Sequence, residues 1–134
     1  MMKTPLMLFA LAGGVFLVID LLWLAWLGRG LYVAEIGPLL RKTPNLAAAA
    51  AFYILYLAGL TLFVTLPAFT AGMPAQALLA GAAFGLVAYA TYDLTSLAVI
   101  EGFTLRIALI DMAWGAALTA FSAWAAVLLA RQFA

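Results

Sequence analysis

Four stretches of this chain, roughly residues 5–27, 46–66, 75–100 and 105–129, are long and apolar enough to cross a lipid bilayer. A hydrocarbon core about 30 Å thick takes about 20 helical residues at 1.5 Å each. Inside it every backbone N–H and C=O must find its partner within the protein, so an uninterrupted apolar run of this length can only be a helix. The expected fold class is therefore an all-α membrane protein, a four-helix transmembrane bundle in which residues 1–134 make a single transmembrane domain. Composition supports this: 69% of residues are hydrophobic and 8% charged, where a soluble domain has about 45–50% and about 25%. Lys3 and the Ala10-Leu11-Ala12 run have the outline of a secretory signal. The apolar stretch continues to Leu27, however, so the first span is expected to be retained.

Several function classes drop out at once. A net charge of +1 offers no basic surface for nucleic acid. With no Cys there are no disulfides, thiolate metal sites or thiol redox chemistry, and with no His the common proton shuttle, haem ligand and triad base are missing. No cofactor is expected.

The connections are short. Residues 28–45 carry Arg29, Glu35, Arg41 and Lys42, and their Leu31, Ile36, Leu39 and Leu40 predict a small amphipathic piece in the interface with Tyr32 at headgroup level. Thr43-Pro44 reads as the start signal of the second helix. The second connection, near Pro67–Pro74, is uncharged, and the third, 101–104, holds Glu101 and Gly102 with Arg106 just beyond. Arg29, Arg41, Lys42 and Arg106 flank the odd-numbered connections, against Lys3 and Arg131 at the termini. That excess places loops 28–45 and 101–104 in the cytoplasm and the termini outside.

Three carboxylates interrupt the spans. Counted from the span midpoints, Asp20 lies about 6 Å, Asp93 about 8 Å and Asp111 about 9 Å off centre, all toward the side of the charged loops. Their neighbours repeat: Asp20-Leu21-Leu22-Trp23 and Asp111-Met112-Ala113-Trp114 share D-x-x-W, and Tyr53-x-x-Tyr56 is echoed by Tyr89-x-x-Tyr92. A two-helix pseudo-repeat would match outer helix with outer and inner with inner. Tyr89, Tyr92, Asp93 and Ser96 form one helical stripe, and Asp111, Trp114, Gly115, Leu118 and Ser122 another. Gly81 and Gly85 permit a close helix approach. With these stripes turned inward, Asp20, Trp23, Tyr53, Tyr56, Tyr89, Tyr92, Asp93, Asp111 and Trp114 would line one ligand-binding pocket, with Arg29, Glu101 and Arg106 at its mouth.

Three functions fit such a pocket. Carboxylates supply counter-charge and Trp and Tyr faces supply cation–π attraction, which suits the binding or proton-coupled transport of a small lipophilic or cationic molecule, with the chain working as a homodimer. The same acids, donating to Tyr or to backbone carbonyls, can serve only as glue worth about 0.6 kcal/mol each, in a non-catalytic subunit packed against lipid or a partner membrane protein. A membrane enzyme acting on a lipid or isoprenoid would need Arg29 and Arg106 to hold phosphate. The acids are scattered singly, however, and Ser96 and Ser122 have no base beside them. Three carboxylates could ligate a hard metal ion, but their spacing matches no loop motif, so no metal site is expected.

These pieces resemble a known family. Phe16–Leu24 with Arg29-Gly30-Leu31-Tyr32, Pro44-Asn45 leading into Phe52–Tyr56, Gly85–Thr95 and Asp111–Gly115 are similar to the motifs of a bacterial family, domain of unknown function 2177, described only as predicted membrane proteins. The resemblance covers essentially the whole chain. It implies a compact four-helix protein of the bacterial inner membrane and no activity.

Overall fold

The computed structural model describes residues 2–133. Helix α1, Lys3–Leu22, runs on into a π turn, Trp23–Leu27. A short helix α2, Arg29–Ile36, and a 3-10 turn, Gly37–Leu39, follow. Helix α3, Leu46–Leu60, passes through a second π turn, Thr61–Thr65, into α4, Leu66–Ala71. Two long helices complete the chain, α5 at Pro74–Val99 and α6 at Leu105–Phe133. Among the described residues, four helical segments are long and apolar enough to span a membrane: Lys3–Trp26, Leu46–Ala71, Pro74–Val99 and Leu105–Phe133.

One end of the second span differs from expectation, and at the other the capping residue does, each for a local reason. The second span continues to Ala71, past Pro67, where a connection was expected. In the π turn the Leu66 N–H bonds to the Thr61 carbonyl, five residues back instead of four. Pro67 then stands among the first residues of α4, where a missing N–H is tolerated. The reversal shrinks to Gly72 and Met73, with Gly72 at φ 67°, the left-handed region in which glycine has no Cβ to clash. At the other end of the second span, the residue that caps α3 is Asn45, not Thr43: its side chain accepts a hydrogen bond from the Ala48 N–H at 3.0 Å.

Lipid tails are as apolar as leucine, so close packing rather than escape from water holds such helices together. The tightest pairing joins α5 and α6, and α1 lies along the other flank of α6. Small residues make this possible. A Cβ on Gly85 would come within 2.5 Å of the Gly115 carbonyl oxygen, and one on Gly115 would fall 2.1 Å from the Tyr89 ring. Leu8, Ala12 and Phe16 of α1 meet Tyr56, Leu57 and Leu60 of α3 and Leu118, Ala123 and Val127 of α6 in the main core. A second cluster, Ile36 with Phe103, Ile107 and Ala108, ties α2 to the start of α6. Leu21, Leu55, Leu79 and Val99 face outward, as lipid-facing residues should.

Candidate functional site

Where α1, α3, α5 and α6 end beneath α2, they surround a cavity of about 790 Å³, within the range of small-molecule sites. Asp20, Asp93 and Asp111 all border it, with Tyr53, Tyr89 and Tyr92 from the two inner helices and Arg29 from α2. Three acids from three helices thus converge on one space.

Each acid has a different environment. Both oxygens of Asp20 are engaged: Tyr53 Oη donates to one at 3.1 Å and Trp114 Nε1 to the other at 3.2 Å. Asp111 accepts a 2.5 Å hydrogen bond from Tyr32 Oη, which accepts in turn from Trp23 Nε1 at 3.0 Å. Asp93 is 1% exposed, and no N–H or hydroxyl donor reaches either of its carboxyl oxygens; the polar group beside it is the Asp111 carboxyl. A buried polar group left unmatched is costly, so one that persists in a fold calls for an explanation.

The two D-x-x-W motifs meet face to face. Trp23 and Trp114 stack with ring centroids 4.4 Å apart and planes 16° from parallel. Each indole serves the other motif's acid, Trp114 directly on Asp20 and Trp23 through the Tyr32 hydroxyl on Asp111. The two rings form a wall behind the acids and do not line the cavity. Tyr56 also lies outside it, buried and hydrogen-bonded to Thr119 Oγ1 at 2.5 Å. Tyr89 lines the cavity with its ring over Gly115, and Tyr92, 57% exposed, stands at the rim against Phe103. Of the three mouth residues only Arg29 borders the cavity, and Glu101 and Arg106 are exposed elsewhere.

Tyr32 was not among the expected pocket residues. Hydropathy places it at headgroup level, whereas its hydroxyl turns inward to Asp111. The signal was the spacing of Tyr32, Glu35 and Ile36, which puts all three on one face of α2. Glu35 accepts from Thr104 Oγ1 at 2.7 Å and Ile36 is buried, so that whole face docks on α6. Burial first, and then the hydrogen bond to Asp111, push the Tyr32 hydroxyl pKa above its usual range, keeping it a neutral donor. Val33, Ile36 and Leu40 add an apolar roof and Phe52 and Phe103 apolar walls.

Among the described residues, no group of three or more His, Cys, Asp or Glu is spaced to hold a metal ion. The cavity offers instead one unmatched carboxyl inside an aromatic and aliphatic shell, an arrangement that can take a hydrogen-bond donor carrying positive charge. A search of curated proteins and a search of solved structures each returned no match. A family model does match, over residues 5–128 and so over the helices and every acid described above: the chain belongs to the family of predicted membrane proteins designated domain of unknown function 2177.

Proposed function

We propose that this membrane protein binds, and carries between the bilayer and the aqueous face, a small lipophilic cation held in the cavity under α2. The observation that supports the reading is Asp93, buried at the cavity edge beside Asp111 with no N–H or hydroxyl donor on either oxygen. Three carboxyls against one guanidinium also make the lining complementary to a cation and unfavourable to a phosphorylated headgroup. Cation–π contact falls to Tyr89 and Tyr92, since the two Trp rings stack on each other outside the cavity lining. In this reading the chain sits in the inner membrane of a bacterium as a homodimer, with loops 28–45 and 101–104 cytoplasmic and both termini outside. The support for that orientation is the excess of Lys and Arg beside those loops.

A packing role is the second reading, favoured by Asp20, whose two oxygens are satisfied within the bundle. Asp93→Asn separates the two. Wild type in zwitterionic nanodiscs is expected to bind n-decylammonium saturably by titration calorimetry, beyond empty nanodiscs. Asp93→Asn is expected to bind at least about tenfold more weakly, the scale of one charge-assisted hydrogen bond, with unchanged thermal melting. Identical heats from empty and loaded nanodiscs, or loss of folded protein in the variant, would give the site to the packing role.

A further inference from the structure

The walls of the cavity differ in how they are closed. Behind it stands the Trp23–Trp114 stack, and beside it the α5–α6 seam leaves no room for even a Cβ at Gly85 or Gly115. Toward the bundle centre, Tyr56 and Thr119 close the floor. Toward water, α2 forms a roof pinned to α6 by Tyr32 on Asp111 and by Thr104 on Glu35. Between α1 and α3 the bridge is the Tyr53 hydroxyl on Asp20. The side without a polar bridge is between α3 and α5, which meet mainly through the π turn at the far end. Its lips are Phe52, 46% exposed, and Tyr92, 57% exposed. Phe52 lies about 9 Å inside the start of α3 and Tyr92 about 10 Å inside the end of α5, counting 1.5 Å per residue. Those helix ends are on the same side of the bundle, so both lips stand at one depth within the spans.

From this we propose that the cavity loads sideways, from the lipid, and that its ligand is a single-chain amine dissolved in the bilayer. The ammonium reaches Asp93 and the chain stays between Phe52 and Tyr92 in the hydrocarbon. The amine part rests on the function proposed above; the route rests on geometry alone. Charge complementarity selects the headgroup, because an N–H-bearing ammonium supplies the donors that the two Asp93 oxygens lack. A roof that is apolar apart from Arg29 and Tyr32 would strip a hydrated cation before it reached a carboxyl, whereas an amine already in the bilayer arrives with its chain desolvated.

The chain has no cysteine, so Ala88→Cys places the only thiol on the cavity wall. In nanodiscs, its labelling by a long-chain maleimide confined to lipid is compared with that by a charged maleimide confined to water, each against full labelling in SDS. The lipid reagent is expected to react at least about tenfold faster, allowing for an energy difference between routes of one decade in rate. Adding Ala49→Trp, a bulky side chain on the α3 lip, should slow it severalfold while the melting curve stays in place. Faster reaction with the charged reagent would overturn the route, as would protection from both reagents. Neither reagent carries an amine, so lipid-side labelling together with failure of n-decylammonium to bind would keep the route and discard the cation.

Discussion

Helix α5 has two neighbours and treats them differently. Against α6 it packs backbone to backbone, with Gly85 and Gly115 set so close that neither tolerates a methyl group. Against α3 it touches chiefly near the π turn and then diverges, leaving Phe52 and Tyr92 as the edges of a gap. With no hydrophobic effect to pull helices together in lipid, backbone proximity must come from small residues placed in register. Helix α5 has them on its α6 side. Facing α3 it presents Phe84, whose ring end would lie 3.1 Å from a Cβ on Gly59. The bundle is thus rigid along one seam and spread along the other, and the acids sit where the two meet.

The seam is broken most directly at Gly115→Ala. The added carbon would overlap the Tyr89 ring at 2.1 Å, with the Gly85 approach leaving no backbone slack. A loss of about 3 kcal/mol or more is expected, read as a large drop in melting temperature or in folded yield. A variant that melts like wild type would show that α5 and α6 can separate at no cost.

Tyr32→Phe probes how the roof is hung from the α6 side. It deprives Asp111 of a donor and Trp23 of an acceptor, for an expected loss of about 1–3 kcal/mol. The same hydroxyl, through its burial and then this bond, carries a pH signature. Because the Tyr32 pKa in the folded protein is raised above its ordinary 10.0, the unfolded chain loses this proton first. Its contribution is therefore complete below pH 10.0 and declines as the pH climbs beyond that value. Melting curves from neutral to strongly alkaline pH should show a steeper alkaline fall in wild type than in Tyr32→Phe. Parallel falls would mean that the hydroxyl is neither buried nor held by Asp111.

The smallest effect belongs to the open side. Gly59→Ala meets only the far end of a side chain, and alanine gains about 1 kcal/mol of helix propensity over glycine. Stability should stay within about 1 kcal/mol of wild type. A collapse like that at Gly115 would make α3 and α5 as tightly packed as α5 and α6.

Much of this was legible before the structure, and the reason is the solvent. In hydrocarbon, an 18-residue apolar run has one backbone solution, so four spans followed from hydropathy, and three acids at a shared depth pointed to a common interior. What escaped was set by contacts between residues distant in sequence. Trp23 and Trp114 looked like walls for a ligand because each lies on the same helix face as its own acid. Nothing local says that the two rings would rather stack on each other. Tyr32 has the composition of an interfacial anchor, and only the docking of Glu35 and Ile36 on α6 reveals that its face looks inward. Arg106 and Glu101 lie in a charged connection, but a short loop fixes which membrane side they are on, not which way they point. Pro67 suggested an end to the second span because a proline rule cannot anticipate a π turn beginning six residues earlier.

The exchange between the two D-x-x-W motifs also governs how the protein comes into being. A membrane protein is inserted as it is synthesised, first helix first. Asp20 enters the bilayer with α1, yet its indole donor belongs to Trp114, 94 residues further along the chain. Its other donor, Tyr53, arrives with α3. Asp111 waits in the opposite direction, entering last and finding Tyr32 already in place, 79 residues behind it. The first and final helices therefore each carry a carboxyl with a donor that lies far along the chain, and α6 acts as the closing piece of the assembly. Until it arrives, the acid of α1 has the Tyr53 hydroxyl as its one partner from the bundle.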